Sequence, residues 1–189
     1  IRSFSKLLKN DKKNPYTRKE IPQHAIDMFK RRLKYLKDNN IQIKEIEEPK
    51  LTKEQIFYNK VFSIFQKIDM LNVVAGGVDI NWFLDLNIIQ LKMYYKILED
   101  IWNYRSQLTN QKKKEIVPSL DVFIYRVNDV YQIVSKKLLQ KIILNDVNKL
   151  VSASPNEDDR RTGAYFVLTA LVEVSTPCME ALPWLVQHT

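Results

Sequence analysis

The chain has 189 residues, 45% hydrophobic, 28% charged and 11% aromatic, with a formal net charge of +8. That length buries a real core in one domain of ordinary size and leaves room for a small appended module. Three glycines, Gly76, Gly77 and Gly163, exclude a Gly-rich phosphate cradle and a hairpin-rich sandwich, and the single cysteine, Cys178, excludes an intrachain disulfide framework and a multi-cysteine zinc site.

The chain opens at Ile1 without a leader-like apolar run, and no stretch approaches the ~18 apolar residues of a membrane span, so it reads as a fragment of a soluble protein. Residues 1–50 carry 14 Lys/Arg against 7 Asp/Glu, residues 51–110 carry 6 against 6, residues 111–150 carry 8 against 4, and residues 151–189 carry 2 against 5. A basic first quarter on a neutral body fits an acidic partner, either nucleic acid or protein; it also fits a solvated face that keeps a lysine-rich chain soluble.

Ile26, Phe29, Leu33 and Leu36 predict a first amphipathic helix behind Pro22, with His24 exposed in its opening turn. The alternation Ile41-Gln42-Ile43-Lys44-Glu45-Ile46 before Pro49 predicts a short strand or an extended linker, dividing the chain into residues 1–40, a linker at 41–51 and a helical body at 52–189. Thr52-Lys53-Glu54-Gln55 is a capping-box start, followed by Ile56, Phe57, Val61, Ile64, Phe65, Ile68 and Leu71 on one helix face. Ala75-Gly76-Gly77 breaks that helix. A second apolar pattern from Trp82 to Leu108 is broad enough to predict a helix sandwiched between neighbours.

After Pro118, the run Val122, Ile124, Val127, Val130, Ile133 and Val134 is expected to be helical, although its β-branched first half would also suit a strand. Leu138, Leu139, Ile142, Ile143, Val147 and Leu150 continue at helical spacing. Ser154-Pro155-Asn156-Glu157 predicts a helix capped by Ser154, and Thr176-Pro177 starts a further helical turn. The expected fold is all-α, a multi-helix antiparallel bundle with a small N-terminal module.

His24 and His188 lie near opposite ends of the chain and define no metal or nucleophile pair by spacing. Cys178 reads as a small buried residue. Asp158-Asp159 suits the positive end of a helix, and neighbouring acids on a helix diverge by roughly 100° rather than converging on one atom. The string Trp102-Asn103-Tyr104-Arg105 is expected to form a buried hydrogen-bonding node, with Asp100 or a backbone carbonyl as the partner of Arg105. No catalytic residue, metal ligand or cofactor is assigned.

Two resemblances add expectations. Residues 1–38, with Asn14-Pro15-Tyr16-Thr17-Arg18 ahead of the Ile26–Leu36 helix, resemble the second half of a U-box, in which a central helix leads into such a loop and then a final amphipathic helix. The resemblance implies that Asn14, Pro15, Tyr16 and Arg18 form a partner-binding loop, with Thr17 bonding back to the backbone, in a scaffold held without zinc. Most of the chain, through Trp82-Phe83-Leu84-Asp85-Leu86, Asp100 to Leu108 and Asp159-Arg160-Arg161-Thr162-Gly163-Ala164, looks like uncharacterised proteins of nucleocytoplasmic large DNA viruses.

Three functions follow as expectations. The first is a structural or protein-interaction component of a large DNA virus, a minor virion or capsid protein located in the particle or the infected-cell cytoplasm, with viral or host proteins as partners. The second is a ubiquitin-ligase-like adaptor of the U-box kind. The third is a nucleic-acid-binding module that uses Lys12, Lys13, Arg31, Arg32, Lys112, Lys113 and Lys114.

Overall fold

The computed structural model describes residues 4, 7, 8, 13, 14, 17–39, 41 and 51–188. The chain divides into two compact units, Ile1–Lys50 and Leu51–Thr189. Its described elements are helical, with one isolated antiparallel bridge between Lys13 and Glu20. The alternating segment at residues 42–50 lies outside the described residues.

In the first unit, helix α1 spans Gln23–Asp38. The Pro22 carbonyl accepts the backbone N–H groups of Ala25 and Ile26 and so receives donors that the opening turn cannot satisfy internally. Ile26 and Leu36 are buried, and the Phe29 ring packs on Phe4 at 4.9 Å between centroids. The three- and four-residue spacing of the apolar positions therefore buries one side of α1 and leaves its polar arc outside.

The second unit holds α2 (Lys53–Met70), α3 (Asn81–Leu84), α4 (Ile88–Asp100), α5 (Asn110–Ile116), α6 (Val127–Tyr131), α7 (Lys136–Ser152), α8 (Glu157–Val172) and α9 (Thr176–Ala181). A π-helical turn at Ile101–Arg105 extends α4, and a 3₁₀ helix spans Pro183–His188. The Thr52 hydroxyl accepts from the Gln55 N–H and the Gln55 side chain accepts from the Thr52 N–H, which forms the expected capping box. Gly76 and Gly77 take φ of +94° and +85°, a backbone region that side-chain-bearing residues rarely adopt.

Three expected helices are redrawn. The pattern from Trp82 to Leu108 is interrupted because Asn87 starts a new helix: its side chain accepts from Ile89 and Gln90 N–H, and the Gln90 side chain accepts from the Asn87 N–H. The run from Val122 to Val134 is mostly loop, with only Val127–Tyr131 helical; Leu120 and Phe123 stand at φ of +54° and +52°. The helix expected to be capped by Ser154 is capped by Asn156, whose side chain accepts from the Asp158 N–H, while the Ser154 hydroxyl accepts from the Asn156 N–H.

Helix α8 is the hub. It packs on α4, α5, α7, α9, the π-helical turn and the 3₁₀ helix. Besides Asp159, its buried residues (Gly163, Ala164, Val167, Leu168, Ala170, Leu171 and Val172) are mostly small, which lets neighbours approach from several sides. Phe65, Phe83 and Tyr94 form a chain of rings joining α2, α3 and α4, at 5.9 and 6.2 Å, and the Tyr94 hydroxyl donates to the Val167 carbonyl of α8. Helices α2 and α7 run in the same direction: Glu54 meets Lys137 near their starts, and Lys67 donates to Asn148 and Ser152 near their ends.

Candidate functional site

The N-terminal loop closes as a tight turn. The Asn14 side chain accepts from the Thr17 N–H at 3.2 Å, the Arg18 N–H donates to the Asn14 carbonyl, and the Asn14 N–H donates to the Lys19 carbonyl. In place of the expected bond from Thr17 to the backbone, the Thr17 backbone N–H itself donates to the Asn14 side chain. Arg18 sits at φ +57°, in the turn that brings Glu20 back beside Lys13. Lys12, Pro15 and Tyr16 lie outside the described residues, and Lys13 is exposed beside the bridge to Glu20.

Helix α1 carries Lys30, Arg31, Arg32, Lys34 and Lys37, all exposed. None forms an ion pair among the described residues, although Asp27 precedes Arg31 by one helical turn; Asp27 accepts instead from Gln23. The Arg32 guanidinium stacks over the exposed Tyr35 ring at 5.4 Å. Lys30, Lys34 and Lys37 fall at i, i+4 and i+7, so they form one row along the helix.

The basic residues of the second unit are used differently. Lys112 bridges Asp159 at 2.6 Å and Glu115 at 3.2 Å, and buried Asp159 also accepts from the Ser154 hydroxyl. Its hydrogen bond to Asp159 is the main reason the Lys112 ammonium titrates above the usual lysine range. Lys113 lies over the Trp102 ring at 5.5 Å and reaches the Asn103 side-chain oxygen, while Lys114 is exposed. The three lysines expected to serve one basic patch are therefore divided among a structural bridge, a ring contact and solvent.

The expected buried node is a surface cluster. Trp102 is buried, but Asn103, Tyr104 and Arg105 are exposed because the π-helical turn widens the backbone: the Ser106 N–H donates to the Ile101 carbonyl five residues back. Arg105 does pair with Asp100, at 2.6 Å, and also with Glu173 at 2.8 Å. These groups edge a groove of about 370 Å³ with Met93, Lys96, Ile97 and Tyr131. Both carboxylates there already accept from Arg105, which makes the groove a clamp between the π-helical turn and the end of α8.

Sequence reasoning passed over Asp146, the one described side chain with a buried polar atom lacking a hydrogen-bond partner. It occupies the apolar stripe of α7, at the spacing Leu139, Ile143, Asp146 and Leu150, which was the signal available. The Phe123 N–H donates to its carboxyl group; burial outweighs this bond and pushes the acid up to about 6. Around it stand the Tyr95 ring, packed edge-on to Phe123 with its hydroxyl donating to the Tyr125 carbonyl, and Lys149, which holds Asp121 through both a side-chain and a backbone oxygen. Asp146 is a buried anchor for the left-handed loop at Leu120 and Phe123.

Cys178 is fully buried, and burial pushes its thiol up to about 12. His24 is exposed in the first turn of α1. Among the described residues no group of three or more His, Cys, Asp or Glu is placed to hold a metal ion, and no helix is long and apolar enough to cross a membrane. No known protein family, curated protein or solved structure matches the chain.

Proposed function

We propose that this chain is a structural or protein-interaction component of a large DNA virus, a minor constituent of the particle that binds an acidic partner through its N-terminal unit. The observation that carries the binding role is the exposed basic face of α1, whose Lys and Arg residues form no ion pair among the described residues. All four arginines of the second unit have acceptors within it, as do Lys67, Lys112, Lys136, Lys137 and Lys149. A cation already held by a fixed carboxylate adds little to a new contact, whereas one still in water does. The viral setting rests on the motif resemblance at Trp82–Leu86, Asp100–Leu108 and Asp159–Ala164. Mass spectrometry of purified particles tests it: the protein is expected at a reproducible stoichiometry, and its absence from the particle contradicts the reading.

The turn at Asn14–Glu20 leading into amphipathic α1 supports a second reading, an adaptor of the U-box kind. Ubiquitin-chain formation with a conjugating enzyme is its test, and no chain formation by the full-length protein counts against it.

A further inference from the structure

The acidic partner of α1 has a chemistry that the helix itself selects. We infer that the row Lys30, Lys34 and Lys37 is a binding face for the phosphate backbone of nucleic acid, with the Arg32–Tyr35 stack at the far edge of the same exposed arc of the helix. This inference rests on the reading of the chain as a binding component and names the partner class.

Like charges at i, i+3 and i, i+4 repel on a helix surface; Lys30–Lys34, Lys34–Lys37 and Arg31–Lys34 stand at these spacings, and the helix has few acids to relieve them. Asp27 is the one carboxylate placed a turn ahead of a basic residue in the favourable order, and its oxygen is taken by Gln23. The apolar side of the helix, centred roughly 90° from the lysine row, is spent on Ile26, Leu36 and the Phe29–Phe4 contact, so the exposed basic arc is what α1 offers to a partner. At a rise of about 1.5 Å per residue the three lysines span about 10 Å along the axis, a row that follows a backbone of repeating charge. A cluster of acidic side chains at irregular spacing has no such repeat.

The stack supplies a second recognition element. Arg32 lies over one face of the exposed Tyr35 ring at 5.4 Å, and aromatic and guanidinium planes of this kind are surfaces on which unpaired bases stack. Lysine contacts to phosphate and stacking on a ring carry no base-edge readout, so the binding is sequence-tolerant.

Fluorescence anisotropy with the full chain and a fluorescein-labelled 20-nucleotide single strand, with a 20-base-pair duplex in parallel, tests this. Three phosphate contacts predict that affinity falls about 20-fold for the single strand and about 40-fold for the duplex between 50 and 200 mM salt. The variant K30Q/K34Q/K37Q, which keeps helix-forming residues at exposed positions, is expected to lose at least about tenfold in affinity at low salt. K53Q/K60Q/K141Q removes the same charge from exposed, unpaired positions of the second unit and is expected to bind nearly as the parent does. Tyr35→Ala should weaken the single strand more than the duplex. Equal losses in the two triple variants, no binding at 50 mM salt, or competition by poly-glutamate as effective as by DNA would each overturn the assignment. The last result would leave a protein-binding role intact, and particle content is measured independently of all three.

Discussion

At the scale of single residues, Asp146 shows how a buried acid couples loop geometry to pH. An unfolded aspartate titrates near 3.9, and the folded one is pushed up to about 6. The folded state therefore holds the proton more tightly. This contribution to stability is complete below about pH 4 and is lost as pH rises through 6, a change of about 3 kcal/mol. Asp146→Asn keeps an acceptor for the Phe123 N–H and cannot ionise. Thermal melts from pH 4 to pH 7 should show the parent losing stability relative to this variant across that window; parallel curves would contradict the burial argument. Arg105 makes the opposite point. Its two ion pairs are closely spaced, yet all three side chains are a quarter or more exposed, so each pair is worth no more than about 1 kcal/mol.

At the scale of elements, the contact between α7 and α8 is decided by one missing methyl group. A Cβ on Gly163 would stand 2.1 Å from the Leu150 carbonyl oxygen and 2.7 Å from its carbon, both rigid backbone atoms. In an ordinary exposed helix, glycine to alanine gains about 1 kcal/mol. Here Gly163→Ala is expected to push the helices apart at a cost of about 1–3 kcal/mol, lowering the melting temperature by about 3–10 °C. An unchanged or raised melting temperature would show that the helices do not cross at this point.

The same elements show what the sequence made legible. The capping box at Thr52, the break at Gly76-Gly77 and the stripes of α2 and α7 are local signals, and they needed only spacing and side-chain chemistry to read. Asn87 was also locally visible, since Gln90 follows it by three residues, but the continuous apolar pattern around it masked the interruption. The left-handed Leu120 and Phe123 were not visible: neither residue type favours that conformation, and it is imposed by Asp146, Lys149 and Tyr95 from distant parts of the chain. The exposure of Arg105 likewise depends on the π-helical turn, which no residue in the string announces.

At the scale of the whole molecule, the +8 charge is divided by use. In the second unit one set of cations fastens element to element, while Lys53, Lys60 and Lys141 stay exposed: Lys112 ties α5 to α8, Lys149 ties α7 to the loop at Asp121, and Arg161 reaches back to the Leu71 carbonyl at the end of α2. In the first unit, α1 keeps its basic residues in water. Composition alone does not distinguish these uses, since Lys112 and Lys30 sit in runs that look equally basic. The division is the central claim, and lysine acetylation of the native full chain, read site by site by mass spectrometry, tests it most directly. Lys30, Lys34 and Lys37 should be modified early, with Lys112 and Lys149 following only slowly because their ammonium groups are held by Asp159 and Asp121. Modification of Lys112 and Lys149 as fast as that of the α1 lysines would contradict it.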